Sequence, residues 1–269
     1  MLFSLLVLLA AGASAGFLSG LLGIGGGLLV VAALSLALPA LGIPAVEVIH
    51  VSVATAMAAN VLTLASSSMA HVRRGSVVWP TWRWLAPGMV VGGFAGAHLA
   101  QFLSAHTLRW VIAVFCALMA WQMVHRTRGA QDPGRPQHLP RSPWLLPAGA
   151  GIGALSAVVG IGGGSMTVPL LVTLGVQPVK AVSTSAVCGL MIAIASALSY
   201  ALSVHAPPEA LPPGSVGYLY LPAAAVAAAG SMTLAPVGAR LAHRISGAAL
   251  SRVFALFLLV VGALIAAGR

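Results

Sequence analysis

The stretch GLLGIGGGLL at residues 20–29 decides how this sequence is interpreted, and AVVGIGGGSM at residues 157–166 repeats its pattern in the second half of the chain. Both stretches carry three consecutive glycines in apolar surroundings. Each glycine in a helix interior costs about 1 kcal/mol relative to alanine. Two such runs therefore predict two interruptions of helices that serve a purpose other than helix stability.

The composition is that of an integral membrane protein. Hydrophobic residues make up 59% of the 269 residues and charged residues 6%, whereas soluble domains have about 25% charged residues. Several apolar stretches exceed the roughly 20 residues that cross a bilayer as a helix, and they lack the alternation of a membrane β-barrel. The predicted fold class is an all-α integral membrane protein.

The formal net charge of +10 does not indicate nucleic-acid binding, because the basic residues lie between apolar segments, where they set membrane topology. Cys116 and Cys188 lie in separate apolar segments without the spacing of metal ligands. We expect both to be buried packing residues, and we expect no metal or other cofactor.

The chain divides into two similar halves, residues 1–125 and 144–269, joined by a Pro- and Arg-rich linker at 126–143. Each half contains five apolar segments that predict helices. The predicted helices cover residues 2–22, 27–39, 46–70, 84–103 and 107–125 in the first half, and 144–159, 164–175, 179–203, 217–235 and 248–267 in the second.

Matching motifs outside the glycine stretches support an internal repeat. ATA at residues 54–56 corresponds to TSA at 184–186, and GSV occurs at both 75–77 and 214–216. The motifs occur in the same order in the two halves, so the halves are predicted to be two copies of one unit.

The distribution of positive charge predicts the orientation of these copies. Eleven of the 13 Lys and Arg residues fall on one face of the predicted topology, which leaves Arg109 and Arg269 on the other. The positive-inside rule makes the first face cytoplasmic. Each half then contains a short glycine-tipped helical hairpin and three full spans, an odd number that inverts the second copy relative to the first. Both termini are predicted outside and the linker inside, and such inverted repeats are typical of transporters.

The segments that follow the glycines, 27–39 and 164–175, are short. At about 12 or 13 residues they measure roughly 18 to 20 Å, which is less than the hydrocarbon thickness of a membrane. We expect the two hairpins to enter from opposite faces and their glycine tips to meet inside the bundle. Because helix N-termini present free N–H groups and the positive end of the helix dipole, paired tips predict an anion site in the middle of the membrane.

The predicted substrate-binding residues are the tip glycines and the hydroxyl and amide side chains expected near them: Gly25, Gly26, Gly27, Gly162, Gly163, Gly164, Ser165, Thr167, Ser52, Thr55, Asn60, Ser183, Thr184 and Ser185. For the hydroxyl groups, the alternative is a hydrogen bond to the carbonyl four residues earlier in the same helix. For four further glycines, close helix packing is the better interpretation: Gly12, Gly16, Gly20 and Gly23. Leucine at Gly26 or Gly163 is predicted to abolish transport in a folded protein, whereas leucine at Gly16 is predicted to impair expression.

With G-x3-G-x2-GIGGG in the first half, a second GIGGG in register, and ATA and STSA motifs in the spans that follow, the sequence resembles the sulfite exporter TauE/SafE family, also grouped as TSUP permeases. The resemblance covers nearly the whole chain. It implies a multi-pass protein of the bacterial cytoplasmic membrane that transports sulfite, a sulfonate, sulfoacetate or thiosulfate. In the first copy, GGGLLVVA lacks the proline of GGGSMTVP in the second, which favours a site that depends more on the second half.

Export is the predicted direction, because a monoanion that leaves a negative interior gains about 2.3 kcal/mol per 100 mV. One alternative is an uptake permease for organosulfonates or another small organic anion, coupled to H⁺ or Na⁺. A second is a membrane assembly protein without transport activity. The three acidic residues lie at edges or in loops and argue against an enzyme. The expected partners are a small anionic sulfur compound and the lipid bilayer, with a homodimer as one alternative for the assembly.

Overall fold

A computed structural model describes residues 9–10, 12–17, 26–126, 142–203, 209, 211–242 and 247–267. These residues are mostly helical. The helices are α1 (12–17), α2 (Gly27–Ala37, continued by a short 3-10 helix at Leu38–Leu41), α3 (Ala45–Arg73), α4 (Trp79–Ala100), α5 (Ala105–Arg126), α6 (Leu145–Val159), α7 (Gly164–Thr173), α8 (Pro178–Ala201), α9 (Leu221–Ala242) and α10 (Gly247–Ala266). Strands β1 (Ser215–Val216) and β2 (Leu219–Tyr220) form a small antiparallel hairpin.

The predicted helices agree with these bounds to within a few residues at most ends. The prediction over 2–22 lies partly outside the described residues, and its described part contains α1. Helix α4 begins five residues earlier than predicted, because Pro80 in its first turn already has the backbone angle of a helix and gives up no hydrogen bond there. The prediction of helix from residue 217 is wrong, since β2 occupies Leu219–Tyr220 and α9 begins at Leu221.

Two of the described helices, α3 and α8, are long and apolar enough to cross a membrane by length and composition. With 29 residues, α3 measures roughly 43 Å. The two helices pack against each other and run antiparallel, because Ser183 near the start of α8 lies 2.9 Å from His71 near the end of α3. They form the centre of the bundle.

Glycines bring two pairs of helices into backbone contact. A Cβ at Gly88, Gly92 or Gly96 of α4 would overlap the backbone of α6. A Cβ at Gly12 or Gly16 of α1 would overlap the backbone of α9 in the same way. Small residues at such interfaces let membrane helices pack closely, so the packing role predicted for Gly12 and Gly16 is confirmed.

The contacts of the first half have counterparts in the second. The pair α4–α6 corresponds to α9–α1, α2–α3 to α7–α8, and α8–α4 to α3–α9, while α5 packs against α10. Each long central helix (α3 or α8) therefore contacts the short helix that precedes it in its own half (α2 or α7) and also a helix of the other half.

The bundle has two ends, which we call the hairpin end and the linker end. At the hairpin end lie the β-hairpin and the starts of α3 and α5, where Arg109 donates a hydrogen bond to the carbonyl of Ala45 at 3.3 Å. At the linker end lie the end of α3 and the starts of α4, α6 and α8, joined by a 2.8 Å hydrogen bond between the hydroxyls of Ser76 and Ser183.

Candidate functional site

The chain reverses direction between α6 and α7 through two glycines with left-handed backbone angles. Helix α6 ends at Gly160, with φ of 81°, and the N–H groups of Gly160 and Ile161 both donate to the carbonyl of Ser156, at 2.9 and 3.0 Å. Gly163, with φ of 74°, is the N-cap of α7. Because side chains rarely tolerate these angles, the second GIGGG motif is explained by a tight turn, which we call the second tip (residues 160–164).

The first tip is described only in part. Gly26 is the N-cap of α2, and its carbonyl accepts hydrogen bonds from the N–H groups of Leu29 and Val30 at 3.1 and 3.3 Å. Gly25 lies outside the described residues. Helix α7 has 10 residues, about 15 Å, and is as short as predicted. Helix α2 has 11 residues, about 17 Å, but the 3-10 helix at Leu38–Leu41 extends its arm two residues beyond the predicted end at residue 39.

The two tips are in contact. A Cβ on Gly27 would overlap the carbonyl oxygen of Gly160, and a Cβ on Gly160 would lie 2.7 Å from a methyl group of Val31 in α2. The side-chain amide of Asn60 in α3 donates to the same Gly160 carbonyl at 3.4 Å. The predicted meeting of the tips is therefore confirmed for Gly27 and Gly160.

The second tip is buried between the two central helices. A Cβ on Gly162 would lie 2.7 Å from a methyl group of Leu64 in α3, and a Cβ on Gly189 in α8 would overlap the Gly162 carbonyl. Gly163 and Gly164 are also buried. The first N–H groups of α7 have no acceptor within the helix. Because the helix begins at a buried position, these groups lie inside the protein.

Three serine hydroxyls near this tip have no hydrogen-bond partner among the described residues: Ser156, Ser165 and Ser185. Their side chains are 0%, 8% and 1% exposed. The Ser156 hydroxyl lies 3.5 Å from the position of a Cβ on Gly163, Ser165 is in the first turn of α7, and Ser185 lies one turn before Gly189. An unpaired buried hydroxyl costs about 1 to 3 kcal/mol, so these three hydroxyls are donors that a bound acceptor would satisfy.

Sequence reasoning identified Ser165 and Ser185 but missed Ser156. Ser156 precedes Gly160 by four residues and so faces the turn from the last turn of α6. The available signal was this spacing, since a residue four positions before a helix-ending glycine lies on the same helix face.

Four of the predicted site hydroxyls donate to the carbonyl four residues earlier in their own helix, at 2.7 to 2.8 Å: Ser52, Thr167, Ser183 and Thr184. This is the alternative that the sequence left open. Thr167 still lies at the second tip, because its acceptor is the carbonyl of Gly163.

Among the described residues, the hydroxyls of Thr55, Ser183 and Thr184 contact the segments that precede α9 and α4 and the end of α3. The N–H group of Val78 donates to the Thr184 hydroxyl at 2.9 Å, and the N–H group of Tyr220 donates to the Thr55 hydroxyl at 3.0 Å. Ser183 contacts Ser76 and His71 at the linker end.

The geometry argues against the prediction that leucine at Gly26 or Gly163 leaves the fold undisturbed. A Cβ on Gly26 would lie 2.7 Å from the side chain of Ala15 and would also overlap its carbonyl. At Gly163 the left-handed backbone angle opposes any side chain. Both positions serve the fold as well as the tips.

The charged side chains of the described residues lie near helix ends or in loops. Arg73, Arg74 and Lys180 are at the linker end, and Glu47 is in the first turn of α3 at the hairpin end. Burial, the nearby charge of Glu47 and a hydrogen bond to its carboxylate raise the pKa of the Tyr218 phenol to about 12. Within the described ranges, no three His, Cys, Asp or Glu residues are arranged to hold a metal ion.

Comparison with known proteins identifies a family and a similar protein. Residues 8–265 match the family described as Sulfite exporter TauE/SafE. A relative from Haemophilus influenzae (strain ATCC 51907 / DSM 11121 / KW20 / Rd), described as "Probable membrane transporter protein", is 33% identical over 257 residues, which cover 96% of this chain and 96% of that protein. No solved structure matches the chain.

Proposed function

Because the chain belongs to the TauE/SafE sulfite exporter family of membrane transporters, we propose that it moves a small sulfur-containing anion across the membrane from a site at the glycine tips. Family membership confirms the resemblance found in the doubled GIGGG motif, and it agrees with a transporter rather than an enzyme. The proposed substrate is sulfite, a sulfonate, sulfoacetate or thiosulfate.

The unpaired hydroxyls of Ser156, Ser165 and Ser185 are the observation that carries this proposal. Ser156 and Ser165 are buried donors beside the N-terminus of α7, where N–H groups and the helix dipole favour negative charge, and Ser185 lies one turn before Gly189, which contacts the second tip. An oxyanion would accept hydrogen bonds from both kinds of donor. Gly27 of the first tip and Asn60 of α3 both contact the Gly160 carbonyl of the second tip.

All of these donors are neutral, which suits a site that must release its ligand. A buried cation would be costly in the membrane and would hold an anion strongly. Neutral donors stabilise the anion through several hydrogen bonds to charge, each worth about 1.5 to 3 kcal/mol. The site therefore combines selectivity for anions with reversible binding.

The two halves are proposed to be inverted copies, with both termini outside and the linker inside. Equivalent contacts between the halves support this arrangement, since α4 packs on α6 as α9 packs on α1, and α8 contacts α4 as α3 contacts α9. The direction of the helices also supports it. Helix α4 runs parallel to α6, because successive glycines of α4 face successive residues of α6 in the same order: Gly88, Gly92 and Gly96 face Leu146, Ala150 and Ala154. Helix α1 runs parallel to α9 in the same way. The basic residues Arg73, Arg74 and Lys180 at the linker end favour a cytoplasmic location for that end.

This topology predicts which single cysteines react in intact cells. In a background with Cys116→Ala and Cys188→Ala, Gly268→Cys should react with a membrane-impermeant maleimide, because the C-terminus is outside. Gln137→Cys should react only after permeabilisation. Reaction of Gln137→Cys in intact cells would contradict the inverted-repeat arrangement.

The charges at the two ends support export as the direction of transport. Arg73, Arg74 and Lys180 at the linker end attract an anion, whereas at the hairpin end the carboxylates of Glu47 and Glu209 outnumber the one described cation there, Arg109. Glu209 and Tyr220 line an open cleft of about 720 Å³ at that end. An anion would thus enter from the cytoplasm and leave past the carboxylates, in the direction that the membrane potential favours.

Thermal unfolding of the detergent-purified protein tests the proposed substrate. We expect one of sulfite, a sulfonate, sulfoacetate or thiosulfate to raise the unfolding temperature more than a carboxylate or phosphate does. A ligand at 100 times its Kd stabilises by about 2.7 kcal/mol. Ser165→Ala should weaken binding of the stabilising anion about tenfold or more, since it removes one hydrogen bond to charge.

The matched control is Ser35→Ala in α2, because the Ser35 hydroxyl bonds the carbonyl of Ala32 in its own helix. It should leave the anion effect unchanged. The proposal fails if no anion in the set stabilises the protein, or if the two alanine variants lose the same amount of binding.

A further inference from the structure

Two hydrogen bonds join a loop of one half to the central helix of the other. The N–H group of Val78 donates to Thr184 of α8, and the N–H group of Tyr220 donates to Thr55 of α3. Val78 and Tyr220 each directly precede a helix, α4 and α9 respectively, whose second residue is proline. The two contacts are thus equivalent in the repeat on the loop side.

The threonines themselves are not equivalent positions. In the repeat alignment, Thr55 corresponds to Ser185 and Thr184 to Ala54. Each half therefore uses a threonine at a different repeat position to accept the N–H group of the incoming segment. A packing accident would not be expected to arise twice in this way.

Additional contacts strengthen both loops. At the linker end, Ser76 bonds Ser183 at 2.8 Å. At the hairpin end, the N–H group of Tyr218 donates to the carbonyl of Tyr200 at 3.2 Å, and its phenol bonds Glu47. We call these two sets of contacts the linker-end latch (Ser76, Val78, Ser183, Thr184) and the hairpin-end latch (Tyr218, Tyr220, Thr55, Glu47).

The latches flank the glycine tips on opposite sides. Asn60 in α3 and Gly189 in α8 both contact the second tip. Thr55 lies five residues before Asn60, and Thr184 lies five residues before Gly189. Five helical residues rise about 7.5 Å. Because α3 and α8 are antiparallel, one latch lies toward each end of the bundle, and with both formed the described tip residues (Gly26, Gly27 and 160–164) are buried.

We propose that Thr55 and Thr184 are positioning residues of the transport cycle, each holding one loop closed over one of two routes to the tips. The inference rests on the proposed function for the location of the substrate, but the loop contacts themselves do not depend on it. Opening the hairpin-end latch alone exposes the tips at the hairpin end, and opening the linker-end latch alone exposes them at the linker end. Alternating access then requires that the two latches open in turn.

The test measures access to the tip from each side. Ser165→Cys serves as the reporter in the background with Cys116→Ala and Cys188→Ala, and a membrane-impermeant thiol reagent is added to intact cells or to inside-out vesicles. Thr55→Val and Thr184→Val keep the side-chain shape and remove the hydroxyl acceptor. Thr55→Ser and Thr184→Ser keep the hydroxyl and serve as the conservative controls.

Thr55→Val should increase the labelling rate about two- to tenfold from one face only, because this factor corresponds to the loss of one net hydrogen bond. Thr184→Val should have the same effect from the opposite face only. Both serine variants should label at the rate of the parent. The proposal is overturned if neither valine variant changes labelling, if both act from the same face, or if either acts from both faces. The measurement needs no substrate, so failure of the anion site in thermal unfolding would leave this labelling pattern intact.

Discussion

Gly162→Val is expected to reduce anion transport at least about tenfold while the protein remains folded. A Cβ at Gly162 would lie 2.7 Å from the end of the Leu64 side chain, which can rotate away, and Gly162 is not among the glycines with a left-handed backbone. The added side chain fills space at the tip, where the anion approaches the N–H groups of α7. The loss of one hydrogen bond to charge, about 1.5 kcal/mol or more, corresponds to the stated factor.

The measurement is the initial rate of anion flux into proteoliposomes, with size-exclusion profiles as the check on folding. A second variant, Gly162→Val with Leu64→Ala, removes the overlap with Leu64. Transport should stay low in this double variant if the anion needs the space itself. Recovery to the wild-type rate would mean that the tip glycine serves packing alone.

Gly92→Leu is expected to prevent accumulation of folded protein. A Cβ at Gly92 would overlap the carbonyl of Ala150, and a helix backbone cannot move aside as a side chain can. Because Gly88 and Gly96 form the same kind of contact one turn away on either side, α4 and α6 would have to separate along most of their interface. Overpacking of a tight interface typically costs 1 to 3 kcal/mol or more.

Gly151→Leu is the matched control for Gly92→Leu. Gly151 lies on the same helix pair, but a Cβ there would meet no atom within 4 Å. Its leucine variant should be expressed and run as a monodisperse peak like the wild type. Equal yields of the two leucine variants would show that the glycine contacts between α4 and α6 are dispensable.

The helices and glycine tips could be predicted because their signals are local. An apolar run bounded by glycine or proline defines a helix such as α8 without knowledge of its neighbours. The reversal at Gly160 and Gly163 follows from residues within a single motif. The β-hairpin was missed because two strands of two residues each give no period to detect.

The roles of the hydroxyl residues depended on partners far away in the sequence. Thr55 accepts from Tyr220, 165 residues later, and nothing near Thr55 indicates this contact. Ser52 bonds its own helix, whereas Ser156 does not, and the difference depends on which side chains pack beside each serine. For hydroxyl groups in membrane helices, the sequence therefore identifies candidates, and tertiary contacts divide them among the helix, the loops and the tip.

Anomalous diffraction can locate a bound oxyanion, with selenite as the analogue of sulfite. An anion site at the second tip predicts a selenium peak within hydrogen-bond distance of the Ser156 and Ser165 hydroxyls and the first N–H groups of α7, and loss of that peak in the variant with Ser156→Ala, Ser165→Ala and Ser185→Ala. A peak confined to another location, such as the cleft beside Glu209 and Tyr220, or a peak that persists at the tip in the triple variant, would contradict it.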